Sequence, residues 1–212
     1  MVTPTDCGWD WSGDYFGPSL RDHLHALGVV ALNYNALEIS FYLLFCEYVG
    51  YSEVSAQLFS DMKNNFRLET LKATAIKQEK NVAVIDAIGT FVGAFDICAL
   101  NRNILMHSVH DLVQDGDSVL KLLKSNRKDP MKQTNLVFDV RTLRQVADEI
   151  WTLDQYAVDL AFYLQTRSGA MPADDEFART TLPDKPAPPR NLSSLLDPST
   201  RAKLDRPGPP QG

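Results

Sequence analysis

Arg102-Asn103-Ile104-Leu105-Met106-His107 sets a permanent cation, an amide and an imidazole within about one and a half helical turns. Arginine offers a forked, always-charged donor for an oxyanion, and histidine is the side chain that exchanges protons near neutral pH. The surrounding segment is otherwise apolar, and burying such groups without a task or a partner costs free energy. Asn103 and His107 are four apart and share a helix face. Arg102 and His107 are five apart, about 140° of rotation on an ideal helix, so the guanidinium must swing round to reach the imidazole. Two copies of the helix meeting antiparallel across a two-fold axis would bring all these side chains to one cleft.

The elements that must position the string are helical. From Ser19 to Val49, Leu20, Leu24, Leu27, Val30, Tyr34, Leu37, Phe41, Leu44 and Tyr48 recur at spacings of three and four, one apolar face of a long helix. Ser19 is its expected N-cap and Gly50 its stop. Two shorter helices are predicted over 52–63 and 66–80, broken at Asn64-Asn65. The helix that carries the string is predicted over Val82–Val109 and contains Gly89-x-x-x-Gly93, a spacing that lets helices approach closely. If that helix runs on, His110 and Asp111 fall three and four residues beyond His107, where Asp111 would hold the imidazole. Val119–Lys124 and Asn135–Val140 are short and strand-like, which predicts a small β-hairpin. A last helix is predicted over Val140–Gln165, stopped by Gly169. The fold class expected is all-α: a bundle of four to five helices with a small hairpin insertion and a disordered C-terminal tail. Residues 1–18 form an aromatic arm with Trp9, Trp11, Tyr15 and Phe16, residues 19–167 the helical domain, and residues 168–212 a proline-rich tail. Nine of the twelve prolines lie in the last 41 residues, so the tail is read as unable to bury enough apolar surface to order itself.

The 212 residues are 44% hydrophobic, enough for one real core. A net charge of −6 argues against a globally basic nucleic-acid binder. Cys7, Cys46 and Cys98 are odd in number, far apart and without a Cys-x-x-Cys pair, usage that suits a reducing compartment. The apolar run Val82–Leu100 contains Asp86 and Asp96, costly in lipid, which favours a core helix over a membrane span. The expected location is cytoplasmic, with no membrane partner and no cofactor.

With its polar residue after the arginine and its place late in a long helix, Arg102-Asn103-x-x-x-His107 resembles the Arg-x(4–6)-His motif of the HEPN superfamily. Asn33-Tyr34-Asn35-Ala36-Leu37-Glu38 is similar to the aromatic-Asn-x-Leu-Glu runs of small bacterial HEPN-like proteins. The resemblance spans residues 19–167. It implies a helical bundle that dimerises through its motif helices, and for many members a metal-independent endoribonuclease of toxin–antitoxin or phage-defence systems. Others are non-catalytic binding, scaffold or nucleotide-sensing modules. In the catalytic reading His107 is the general base or acid, Arg102 holds the scissile phosphate, and Asn103 orients either one. In the other, Arg102 and His107 only tie the two subunits together. One departure is Val109, where members controlled by adenylylation carry tyrosine; that control is not implied here.

Supporting roles are expected for His110, Asp111 and Glu38, the last set in an apolar run where it could pair with Arg102 or a backbone donor. Lys121, Lys124, Arg127, Lys128 and Lys132 cluster in and around the hairpin. They would track an RNA backbone outside the cleft, or simply solvate the hairpin tip. His23 and His25 match no zinc spacing. The tail is where an antitoxin or effector partner would bind, alongside a homodimer and RNA.

Overall fold

The computed structural model describes residues 21–110, 119–126 and 129–195. The aromatic arm of residues 1–18, Asp111, Arg127, Lys128 and residues 196–212 lie outside the described residues. The fold is all-α with a small antiparallel sheet. Five helices, α1 (Arg21–Val49), α2 (Glu53–Asp61), α3 (Asn64–Gln78), α4 (Val82–Met106) and α5 (Val140–Ser168), are joined between α4 and α5 by strands β1 (Val109–His110), β2 (Val119–Asn126) and β3 (Asp129–Asp139). A 3-10 turn, Leu192–Leu195, closes the described chain.

The ends of the helices follow from local chemistry. Ser52 caps α2 by accepting from the Ser55 amide at 3.1 Å, and Asn81 caps α4 through Ala83. Asp139 caps α5, its carboxylate accepting from the Thr142 amide at 2.7 Å. Gly169 ends α5 at φ 79°, a left-handed position that glycine takes without a Cβ clash.

The long helices α1 and α5 form the most extensive contact of the bundle, and they run parallel. Asn33 Nδ2 donates to the Ala147 carbonyl at 2.9 Å, Ser40 Oγ to Asp154 Oδ1 at 2.5 Å, and Gln165 Nε2 to the Tyr51 hydroxyl at 3.0 Å, all at the same offset of 114 residues. Asn33 and Ser40 are one heptad apart, so the pairs recur on the coiled-coil repeat. Helix α4 runs the other way, since Tyr34 meets Phe95 while Phe41 meets Phe91. Helix α3 is parallel to α1, with Asn64 bonded to Tyr34 at its start and Gln78 to the Tyr48 carbonyl at its end. Phe41, Phe45, Phe91 and Phe95 are fully buried, and Phe59 of α2 meets Phe41 at 5.2 Å and Phe45 at 5.3 Å, edge to face. Each such ring contributes about 1.5–3 kcal/mol by leaving water. By length and composition alone, α1 and α4 are each apolar enough to cross a membrane; here 44% of each apolar window is buried inside the bundle.

Two expectations change. The motif helix ends at Met106, three residues before the predicted Val109, because β1 pairs with β2 (Val109 opposite Leu123, His110 opposite Leu122) and takes the chain out of the helix. Order also extends past residue 168. Residues 177–192 run along α5 and α4 as a strap, from Phe177 on Phe162 to Leu192 on Asn101. Leu192 and Ser193 are buried, Arg179 pairs with Asp159 at 2.7 Å, and Lys185 pairs with Asp86. Asn101 of α4 clamps the far end: its amide donates to the Arg190 carbonyl at 2.6 Å, and its carbonyl accepts from the Leu192 amide at 2.9 Å. Composition missed this because a few apolar anchors and backbone bonds to helix side chains replace the apolar density a free-standing element needs.

Candidate functional site

Arg102, Asn103 and His107 come together at the C-terminal end of α4. Arg102 Nη1 lies 3.1 Å from His107 Nε2 and 3.2 Å from Asn103 Oδ1. On a continuous helix Arg102 and His107 would point about 140° apart. The long guanidinium swings round to close that angle at the helix end, where His107 is the C-cap, at φ −108° and ψ 14°. Its amide still bonds the Asn103 carbonyl at 3.3 Å, and Ser108 Oγ bonds back to the Ile104 carbonyl at 2.6 Å. These two bonds serve carbonyls that the helix end leaves without partners, and they fix the turn. The flanking Ile104 and Leu105 are buried and anchor the string to the core, while Asn103 and His107 are exposed and Arg102 is half-buried.

A guanidinium only donates. The Arg102–His107 contact is therefore a hydrogen bond when the ring is neutral, with its proton on Nδ1 and the Nε2 lone pair turned to the arginine. That is the form of histidine able to take a proton. Among the described residues only Nη1 of the guanidinium is hydrogen-bonded, which leaves Nε and Nη2 to meet an oxyanion.

Beneath the guanidinium lies Tyr34, whose ring centroid is 5.5 Å from the Arg102 guanidinium carbon. The Tyr34 hydroxyl accepts from Asn64 Nδ2 at 3.1 Å, and Asn64 Oδ1 accepts from Arg67 Nη1 at 3.0 Å. Burial pushes the Tyr34 hydroxyl well above the ordinary phenol range, with Glu38 adding to it, against the opposing pull of Arg102 and the bond from Asn64. The hydroxyl therefore stays protonated and serves as an anchor. Glu38 lies 3.8 Å from Arg67, its partner among the described residues, where Arg102 or a backbone donor was expected. Arg67 stacks on Phe59 at 4.3 Å. Sequence reasoning missed Asn64 and Arg67 as members of this group; Asn64-Asn65 had registered only as a helix break.

The other candidates are placed less closely. His110 is in β1, opposite Leu122, and not one turn along the motif helix; the helix on which Asp111 was expected to reach the imidazole has already ended. Lys121 and Lys124 are in β2, opposite Val137 and Thr134, and Lys132 is in β3. Arg127 and Lys128 are outside the described residues. His23 is buried in the first turn of α1 and His25 is exposed. Cys98 is fully buried, and burial, with Glu149 adding, pushes its thiol up to about 12, which marks a core residue and not a nucleophile. Among the described residues no three His, Cys, Asp or Glu side chains gather as a metal site would require.

No protein-family model, curated protein or solved structure matches this chain.

Proposed function

We propose that this chain is a metal-independent endoribonuclease of HEPN type, acting as a homodimer in a cytoplasmic toxin or phage-defence role. The observation that carries the reading is the 3.1 Å contact between Arg102 Nη1 and His107 Nε2 at an exposed helix end. RNA supplies its own nucleophile, the 2′-hydroxyl. The phosphate draws the Arg102 fork onto its non-bridging oxygens, which frees Nε2 of His107 to take the 2′-hydroxyl proton. The 2′-oxygen bonds to phosphorus, the bond from phosphorus to the 5′-oxygen breaks, and the leaving oxygen takes a proton from the imidazolium of the second copy. The products are a 2′,3′-cyclic phosphate and a 5′-hydroxyl. Asn103, which accepts from Nη1, helps to orient the guanidinium.

The homodimer draws support from the outer face of α4. Asp86, Gly93, Asp96, Asn103 and His107 form one exposed stripe. Among the described residues a Cβ added at Gly89 or Gly93 would meet nothing within 4 Å, so neither glycine serves close packing against them. Asp96 on this stripe, and Asp86 with its partner Lys185, oppose its placement against lipid. In this reading Lys121, Lys124 and Lys132 of the hairpin follow the RNA backbone away from the cleft. An antitoxin or effector would engage the chain beyond Leu195, since Leu192 is already buried.

The test is end-group analysis of RNA incubated with the protein in EDTA, beside a matched DNA. Cyclic phosphate and 5′-hydroxyl ends, with the DNA intact and a single 2′-deoxy substitution blocking its own site, are the expected result. 3′-Hydroxyl and 5′-phosphate ends would contradict the mechanism. One observation favours a second reading, a non-catalytic binding, scaffold or nucleotide-sensing module: Arg102 is already bonded to Asn103 and His107 within its own chain. RNA bound without cleavage would select it.

A further inference from the structure

We infer that Tyr34, anchored by Asn64, is the positioning residue that holds the Arg102 guanidinium against His107. An arginine on a helix surface has many rotamers, and only a few turn the fork toward the helix C-terminus. The groups that Arg102 hydrogen-bonds, Asn103 and His107, are exposed side chains and cannot by themselves hold it. Tyr34 is different. It is 4% exposed, its ring packs against Phe95 at 5.9 Å, and its hydroxyl is tied to Asn64 at 3.1 Å. The ring is therefore a fixed surface, and the guanidinium carbon sits 5.5 Å from its centroid, within the range of a cation–π contact.

Asn64 is itself fixed. Its side-chain oxygen accepts from Arg67, and Arg67 is held by the ring of Phe59, by the Ser60 carbonyl at 3.3 Å and by Glu38. A chain of contacts thus runs from the α2–α3 corner through α1 to the motif at the end of α4. Only its last member, Arg102, belongs to the exposed string. Tyr34 and Asn64 act through Arg102 and do not touch a substrate, so their role is positioning.

The kinetic half of the test rests on the nuclease reading, and the spectroscopic half does not. In the full-length 15N-labelled protein at mildly alkaline pH, two-bond imidazole spectra report the tautomer of His107. The wild type is expected as Nδ1–H, with Nε2 accepting from Arg102. In Tyr34→Leu the guanidinium loses its platform, and the ring is expected to shift to the Nε2–H form favoured by a free imidazole. Tyr34→Phe keeps the platform but loses the bond to Asn64, so it falls between the two. Asn64→Ala, which removes the same bond from the other side, is expected to match it. Metal-free RNA cleavage by Tyr34→Leu should fall roughly tenfold in kcat/KM, with Tyr34→Phe restoring it to within about threefold of wild type. The Tyr34→Phe, Asn64→Ala double variant should be no worse than either single one.

If the tautomer shifts but no wild-type cleavage exists, the nuclease reading falls and the positioning role stands. A wild-type His107 in the Nε2–H form would overturn the positioning role. So would a folded Tyr34→Leu protein with wild-type tautomer and rate. If the leucine variant does not fold, wild-type tautomer populations in both Tyr34→Phe and Asn64→Ala overturn it equally.

Discussion

At the scale of the residue, the site turns on one contact at a helix end. His107 is the C-cap of α4, and its Nε2 lies 3.1 Å from a guanidinium five residues back that has swung round to meet it. Arg102→Lys is the discriminating substitution: it keeps the charge but loses the fork and the fixed geometry at Nε2. We expect kcat/KM for RNA cleavage to drop roughly 100-fold while the thermal midpoint is unchanged, as steady-state kinetics and calorimetry would show. A drop of less than threefold would mean that charge alone suffices. The residue types at this site were legible in the sequence, because a cation, an amide and an imidazole in an apolar run invite a reason. Their meeting could be read as a swing of the long guanidinium round the helix, but its place at a helix end could not, since nothing in the string announces where the helix stops. Tyr34 was visible only as part of the Asn33–Glu38 run. Its place under Arg102 depends on α1 and α4 running antiparallel, which no local pattern fixes.

At the scale of the element, one helix cap and the strap carry separate predictions. Asp139 caps α5, and its bonds from the Thr142 side chain and amide hold its carboxyl below the ordinary value of 3.8. A carboxyl lowered in the folded state contributes fully above its ordinary value and loses that contribution as pH falls through the lowered one. Asp139→Ala should cost about 1 kcal/mol near neutral pH, the usual worth of a helix N-cap. The gap from wild type should close in acid, as urea titrations at several pH values would record; a gap that widens in acid would contradict the cap. Asn101→Ala strips the clamp from the Arg190 carbonyl and the Leu192 amide, and Leu192 is fully buried. We expect a loss of about 1–3 kcal/mol and faster amide exchange confined to the end of the strap. The helices and the stops of α1 and α5 were legible, because Gly50, Gly169 and the three-and-four spacing of apolar residues are local signals; the stop of α4 was not. The strap was not, because its order comes from partners such as Asn101, Asp86, Glu149 and Asp159 that are distant in sequence.

At the scale of the whole molecule, the bundle holds α4 so that one face is buried and the stripe from Asp86 to His107 is outward. Gly93 on that stripe has open space where a Cβ would stand. Gly93→Leu should leave the single chain as stable as before, or about 0.5–1 kcal/mol more so from helix propensity. If α4 pairs across a two-fold axis, the same change should shift sedimentation from dimer to monomer; an unchanged dimer would place the interface elsewhere. That a bundle forms was legible from the apolar periodicity. The parallel pairing of α1 with α5, which fixes where the motif emerges, depends on contacts at an offset of 114 residues. The central claim is that Arg102 and His107 cut RNA without a metal. The most direct measurement is cleavage of a structured RNA in EDTA by wild type and His107→Ala in parallel, with the mass of each protein followed by sedimentation. The expected result is cleavage by the wild type, none by the variant, and the same dimer in both. Equal cleavage by the two proteins, or none by the wild type at high concentration, would contradict it.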